Sequence, residues 1–236
     1  MTYTSNWFVP LEGRVIFYFA WSLAAEEQFY LVWPGLQKVL SPKYALSVVI
    51  LVVIVVAVSQ WMTADYSHPA QSLPLKVLNS VPLAICLGVV LAYILHFKKG
   101  FLAMRALFGP KSCSLGWLLV FFTVLNWSSA PTIVIHAAAV MLVGACVYRE
   151  DHILARLLKF RTLAYIGTIS YGVYMLHMLV KNAVSKVLIG MNMDVFPVAV
   201  FLITALFSVL LAGLSFRYFE SIFVGMRNRF IAPVRD

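Results

Sequence analysis

Long runs of apolar residues recur along this chain, and they constrain its fold more than any other feature. A helix needs roughly 20 apolar residues to cross a bilayer. One uncharged run, LSVVILVVIVVAV, lies inside the segment Tyr44–Met62. Only 11% of the 236 residues are charged, whereas a soluble domain has about 25%. Seven spans are predicted: Val15–Leu36, Tyr44–Met62, Leu78–Leu95, Cys113–Trp127, Thr132–Tyr148, Tyr165–Val187 and Phe196–Phe219.

These runs are predicted to be helices. They lack the strict alternation of a membrane β-barrel, and a helix satisfies its own backbone polar groups inside lipid. The sequence therefore predicts an all-α fold, a polytopic membrane helix bundle of about seven transmembrane helices. Residues 1–14 are predicted to be an extracytoplasmic N-terminal segment, and residues 15–236 the transmembrane bundle.

The basic residues lie mostly on one side of the predicted membrane. About fourteen of the eighteen fall in alternate connections, which is the positive-inside pattern. It predicts a multi-pass protein of the inner (plasma) membrane, with its N-terminus outside and its C-terminus in the cytoplasm. A nucleic-acid-binding domain would instead gather its basic residues on one folded surface, so no nucleic-acid partner is expected. The fourteen are Lys38, Lys43, Lys98, Lys99, Arg105, Lys111, Arg149, Arg156, Lys159, Arg161, Arg217, Arg227, Arg229 and Arg235.

Two adjacent acids interrupt the first apolar run, in the stretch FAWSLAAEEQFYLVWP. On a helix, Glu26 shares a face with Ser22, Tyr30 and Trp33, while Glu27 and Gln28 point elsewhere. Ionisable groups at membrane depth are costly, and they usually face a bundle interior or a water-filled cavity. The acids are therefore expected to be enclosed, as a general acid or base or as ligands of a hydroxyl or cation.

A structural alternative for the two acids remains open. The helix would begin near Ser22, which would cap it. Glu26 and Glu27 would then lie in the first turns and complement the helix dipole.

A second polar stripe lies in the sixth run. Ser170, Tyr174, His177 and Lys181 recur on one helical face of an otherwise apolar segment. Such a stripe is typical of a cavity lining, in which a histidine would transfer a proton or bind substrate. The alternative is a hydrogen-bonded core histidine with its neighbours near the membrane interface.

Two further features carry less functional information. Arg217 and Glu220 have the spacing of a local helical ion pair. The three cysteines have no metal or redox spacing, so they are expected to be packing residues, and no metal site is predicted.

Three stretches resemble acyltransferase family 3, a family of integral membrane enzymes that acylate extracytoplasmic glycans. They are WSLAAEEQFYLVWP, YIGTISYGVYMLHMLV and FRYFESIF, in the family's order. The resemblance implies acyl-CoA (acetyl-CoA) as donor substrate and no bound cofactor. It implies the lipid bilayer and a lipid-linked or surface glycan acceptor as partners. The implied catalytic residues are Glu26, Glu27 and His177, and the implied substrate-binding residues are Trp21, Ser22, Gln28, Tyr30, Ser170 and Tyr174.

One family element is absent from the sequence. The family's catalytic histidine follows a basic residue in the pattern Arg/Lys-x10-His. In this chain the residues eleven positions before the five histidines are all non-basic: Ala57, Ile85, Leu125, Met141 and Ile166. We therefore expect this chain to be the C-terminal part of a longer family domain and to lack an N-terminal catalytic segment. Inactivity of the chain alone is an alternative left open.

The leading hypothesis from the sequence is thus a membrane O-acyltransferase of a glycan. The alternative is a proton-coupled secondary transporter or flippase, because such carriers also use intramembrane acids and histidines. Donor-dependent acylation of a glycan distinguishes the first from the second.

Overall fold

The structure, a computed structural model, describes residues 20–63, 73–191, 196–223 and 226. These residues form helices and no strand, so the predicted all-α class is confirmed. Residues 1–14, predicted to be extracytoplasmic, lie outside the described ranges. The helices are α1 (Ala20–Val39), α2 (Pro42–Thr63), α3 (Leu73–Asn79), α4 (Leu83–His96), α5 (Lys98–Ala103), α6 (Arg105–Phe108), α7 (Cys113–Leu125), α8 (Thr132–Tyr148), α9 (Ala155–Leu158), α10 (Arg161–Thr168), α11 (Ser170–Gly190), α12 (Pro197–Ser215) and a π-helix (Phe216–Glu220).

Fewer helices are long enough to cross a membrane than the sequence predicted. Two qualify by length and composition, Pro42–Met62 and Pro197–Phe223. Two bent pairs, α3 with α4 and α10 with α11, would raise the number to four if each pair is one span. The apolar helices α7 and α8 are shorter. Among the described residues the count is therefore two to four, and seven spans stay a prediction.

The two bends lie inside predicted spans. The axis turns by 47° between α3 and α4 and by 73° between α10 and α11. Pro82 precedes the first residue of α4, and a proline there cannot donate the backbone hydrogen bond that would continue α3. The second bend is at Ile169, which is 1% exposed. Hydropathy alone does not reveal such breaks, because each bent pair taken together is apolar enough for one span.

The chain forms two compact units, which we describe separately. The described part of the first runs from Ala20 to Leu157, and the second includes everything described from Leu158 onward. The core of the first unit joins α2 and α4 through Val49, Val53, Val56, Leu83 and Cys86.

Helix α1 packs against this core through aromatic side chains. Phe29 and Trp33 both contact the cluster, and their rings stack with centroids 5.8 Å apart. Trp33 also meets Tyr93 of α4 edge-on at 6.3 Å. The buried thiol of Cys86 belongs to the same core, as expected of a packing cysteine.

Two connections of the first unit meet at one end of the α7–α8 pair. Arg149 Nη1 donates to the Gly109 carbonyl at 2.7 Å. The Lys111 ammonium lies 3.0 Å from Asp151 Oδ2, and the Ile153 amide donates to the Lys111 carbonyl. The two connections therefore lie at the same end of the α7–α8 pair, and their side of the membrane stays a prediction.

Helices α11 and α12 pack closely in the second unit. Gly172 lies against Ala212, and a Cβ at Gly172 would be 3.2 Å from the Ala212 Cβ. A side chain at position 172 would therefore require its neighbours to move by a few tenths of an ångström. Small residues at membrane helix contacts allow this kind of close approach.

Gly144 of α8 provides a test of packing in the first unit. A Cβ there would lie 2.7 Å from Phe108 Cζ and 3.2 Å from Leu91 Cδ2. Because the Phe108 ring is fully buried, it has little room to move. We expect Gly144→Ala to destabilise the protein by about 1–3 kcal/mol, measured by thermal unfolding in detergent.

The matched control for this change is Gly116→Ala in α7. No atom lies within 4 Å of a Cβ at that position. Since alanine is a better helix former than glycine by about 1 kcal/mol, stability should be kept or raised. Equal loss of stability in both variants would contradict the packing of Phe108 on Gly144.

Candidate functional site

The acid pair lies within α1, on two different parts of its surface. Glu26 is half-buried, whereas Glu27 is exposed. Successive residues of an α-helix are rotated by about 100°, so only one of two neighbours can face a given direction. The expected enclosure is thus found in part for Glu26 and not for Glu27 within the described chain.

The capping alternative is not what the structure shows. Ala20 and Trp21 are already helical, and no acid lies in the first turn of α1. Ser22 is therefore inside the helix instead of preceding it. Glu26 and Glu27 lie beyond the first turn, where the helix dipole acts only weakly.

The remaining predicted residues of α1 differ in their exposure. Ser22 and Gln28 are half-buried, and Tyr30 is 55% exposed. The ring of Tyr30 meets Phe29 edge-on at 6.2 Å. The side chain of Trp21 lies outside the described part of the chain.

An apolar cavity opens beside this helix. Its volume is about 370 Å³. Phe29 and Trp33 line it together with residues of α2 and α4, and its polar lining includes Gln28 and Ser80. Such a cavity can accept an apolar group. Glu26 does not line it, although the preceding residue, Ala25, does.

The polar stripe of α11 forms as predicted along one helix. Ser170 is exposed, and Tyr174 and His177 are half-buried. The rings of Tyr174 and His177 have centroids 5.7 Å apart. Lys181 is exposed further along α11, so the middle of the stripe is the part shielded from solvent.

The backbone fixes the tautomer of His177. Its Nδ1 lies 2.5 Å from the Tyr174 carbonyl oxygen. A carbonyl only accepts hydrogen bonds, so Nδ1 carries the proton. The Nε2 atom of the neutral ring is then an acceptor, as a general base requires.

The predicted ion pair between Arg217 and Glu220 is not found. These residues belong to the π-helix, whose wider turn changes which side chains are neighbours. The Arg217 guanidinium lies 5.8 Å from the Tyr218 ring centroid. The Glu220 Oε1 instead accepts a hydrogen bond from Ser215 Oγ at 3.3 Å.

The structure also shows a charged groove that the sequence analysis did not single out. Its volume is about 740 Å³, and Arg105, Tyr148 and Arg149 line it with residues of α5 and α6. Arg149 forms a bidentate pair with Asp151, with both N–O distances 2.8 Å. The sequence Arg-Glu-Asp at 149–151 was the available signal, but the positive-inside rule had already accounted for its arginine.

The charges beside this groove stabilise one another. Hydrogen bonds from Arg149 and then from Lys111 hold the pKa of Asp151 well below its usual range. The hydrogen bond between Arg149 and Asp151 also raises the pKa of Arg149. Asp151 therefore stays ionised, and keeps Arg149 in place, at every pH near neutrality.

The two groups of predicted catalytic residues belong to different units. Glu26 and Glu27 are in the first, and His177 is in the second. Their assembly around one cavity stays a prediction. Among the described residues, no group of three or more His, Cys, Asp or Glu side chains could hold a metal ion.

Comparison with known protein families decides the classification. The family described as an acyltransferase domain, acyltransferase family 3, matches residues 2–217. The chain belongs to this family. The resemblance predicted from the acid pair and the two later stretches is confirmed. The family match includes α1, α11 and the beginning of the π-helix.

One curated relative is the peptidoglycan O-acetyltransferase OatA of Listeria monocytogenes. It is 27% identical over an alignment of 218 residues, which covers 85% of this chain. The match covers 34% of the relative's length, so this family member spans about a third of the protein it resembles. No solved structure matches the chain.

Proposed function

We propose that this protein is an integral membrane O-acyltransferase that acylates a hydroxyl of a cell-surface or lipid-linked glycan. The observation that carries the proposal is the family match across residues 2–217. A relative that is by name a peptidoglycan O-acetyltransferase supports a glycan as acceptor and acetyl as the transferred group. Within the described residues, no feature favours the transporter or flippase alternative.

The proposed donor is an acyl-CoA used from the cytoplasmic side. The proposed orientation has the N-terminus outside the inner (plasma) membrane and the C-terminus in the cytoplasm. The positive-inside pattern of the basic residues supports this orientation. The connections at Gly109–Lys111 and Arg149–Ile153, which contact each other, both belong to the basic set.

We assign the acceptor to the region of Glu26. A half-buried carboxylate can accept a proton from a sugar hydroxyl or orient it. Ser22, Gln28 and Tyr30 supply further hydrogen-bonding groups on the same helix. In the second unit, Nε2 of His177 is the second proposed proton acceptor, and Tyr174 is a proposed substrate-binding residue.

A further histidine belongs to this proposal. The sequence has no histidine preceded by a basic residue at the family's spacing. We propose that this element lies in a segment outside these 236 residues. The tests of activity therefore use the protein expressed from its own locus, in its own membranes.

The proposal is tested by donor-dependent acylation. Membranes are supplied with acetyl-CoA labelled in the acetyl group, and base-labile label on the glycan is measured. We expect label that disappears when the gene is deleted and returns on complementation. Unchanged label in the deletion strain would overturn the proposal, and glycan movement driven by a pH gradient without donor would support the transporter instead.

A further inference from the structure

The charged groove between α5, α6 and the end of α8 has the chemistry of a phosphate site. Arg105 and Arg149 both line it. Guanidinium groups bind phosphate oxygens through paired, charge-assisted hydrogen bonds. Within the groove lining, no acidic residue opposes the two arginines.

The two arginines differ in how they are held. Arg149 is fixed by three hydrogen bonds, two to Asp151 and one to the Gly109 carbonyl. Its remaining N–H groups are then preorganised, so little side-chain entropy is lost on binding. Arg105 is exposed, and in the described part of the chain it has no ion pair, which leaves its charge available for a ligand.

The segments that form the groove contain further charged residues. Lys98 and Lys99 begin α5, the helix that precedes Arg105. The acidic neighbours are Asp151, which is already shared by Arg149 and Lys111, and the exposed Glu150. In the segments that form the groove, basic side chains thus outnumber acidic ones.

We propose that this groove binds a phosphate-bearing group, and that its ligand is the nucleotide diphosphate portion of the acyl-CoA donor. The assignment of the donor rests on the proposed function. In the proposed orientation, the two connections that meet at the groove are cytoplasmic. A soluble acyl-CoA would arrive from that side of the membrane. The same phosphate chemistry is present in anionic lipid headgroups, and the test separates these two sources.

The test compares Arg105→Gln with Arg156→Gln. Both changes remove one exposed arginine from the first unit, but Arg156 lies in α9 and does not line the groove. Coenzyme A binding is measured on the purified protein in phosphatidylcholine nanodiscs. Loss of a charge-assisted hydrogen bond weakens binding by about tenfold or more, so we expect that loss for Arg105→Gln and none for Arg156→Gln.

A second arm measures lipid. The same variants are incubated in nanodiscs with phosphatidylglycerol, and the lipid retained by the protein is quantified. Arg105-dependent retention of phosphatidylglycerol without coenzyme A binding would keep the phosphate site and overturn its assignment to the donor. Equal coenzyme A and lipid binding by both variants, or binding of neither ligand, would overturn the site itself.

The groove and the proposed function can fail separately. If glycan acylation occurs but Arg105→Gln leaves the KM for acetyl-CoA unchanged, the groove assignment is wrong and the function stands. If coenzyme A binds through Arg105 but no glycan is acylated in native membranes, the groove stands and the proposed function is wrong.

Discussion

Replacing Glu26 with glutamine is expected to reduce acyl transfer by about 100-fold or more, while the amount of protein in the membrane stays the same. Glutamine keeps the size and hydrogen-bonding capacity of the side chain but cannot take up a proton at neutral pH. Glu26 is half-buried on the face of α1 that includes Phe29 and Trp33, so the substitution should disturb packing little. The measurement is the initial rate of label transfer from acetyl-CoA to the glycan in native membranes.

Two matched changes accompany this variant. Glu150→Gln removes an exposed acid from a loop of the same unit. This variant should keep the wild-type rate of label transfer at saturating acetyl-CoA. Glu27→Gln tests the neighbouring carboxylate, which is exposed and is therefore expected to have the smaller effect. Wild-type transfer by Glu26→Gln at normal abundance would remove Glu26 from the mechanism.

The second large effect is expected at His177. Its Nδ1 donates to the Tyr174 carbonyl, so proton transfer would use Nε2. His177→Asn retains an N–H group near the position of Nδ1 but has no atom at Nε2. His177→Gln places an amide near Nε2 that cannot act as a base.

If Nε2 transfers a proton, both variants should lose about 100-fold or more in kcat. If the ring only stabilises the helix through its bond to Tyr174, His177→Asn should keep activity because it keeps that bond. His96→Gln, at the exposed end of α4, is the control and should behave as wild type. Retained activity in His177→Asn would therefore assign His177 a structural role.

Local features of the sequence predicted the helices well. The fifth predicted span, Thr132–Tyr148, coincides with α8, and the second lies within α2. Apolar runs of this length have few alternatives, because lipid requires the backbone to satisfy its hydrogen bonds within the segment. The polar face of α11 also followed from spacing alone, since a regular helix fixes the rotation between residues.

The breaks and the π-turn were not predictable in this way. The bend at Ile169 and the π-helix at Phe216–Glu220 leave hydropathy unchanged. From hydropathy and spacing, one uninterrupted span was therefore predicted across the bend between α10 and α11, and an ion pair was predicted between Arg217 and Glu220. In both cases the local hydrogen-bonding pattern of the backbone, which hydropathy does not encode, decided the outcome.

The sequence by itself determined the helical class, the one-sided distribution of charge and the family, because each depends on local composition or on a short contiguous stretch. Only the tertiary structure decided that Glu26 is more enclosed than Glu27, and that Arg105 and Arg149 share one groove. Arg105 and Arg149 are far apart along the chain. They line one groove because α7 and α8 run in opposite directions and bring the chain back to the same end of the first unit. Such long-range encounters depend on how helices pack, which no local pattern specifies.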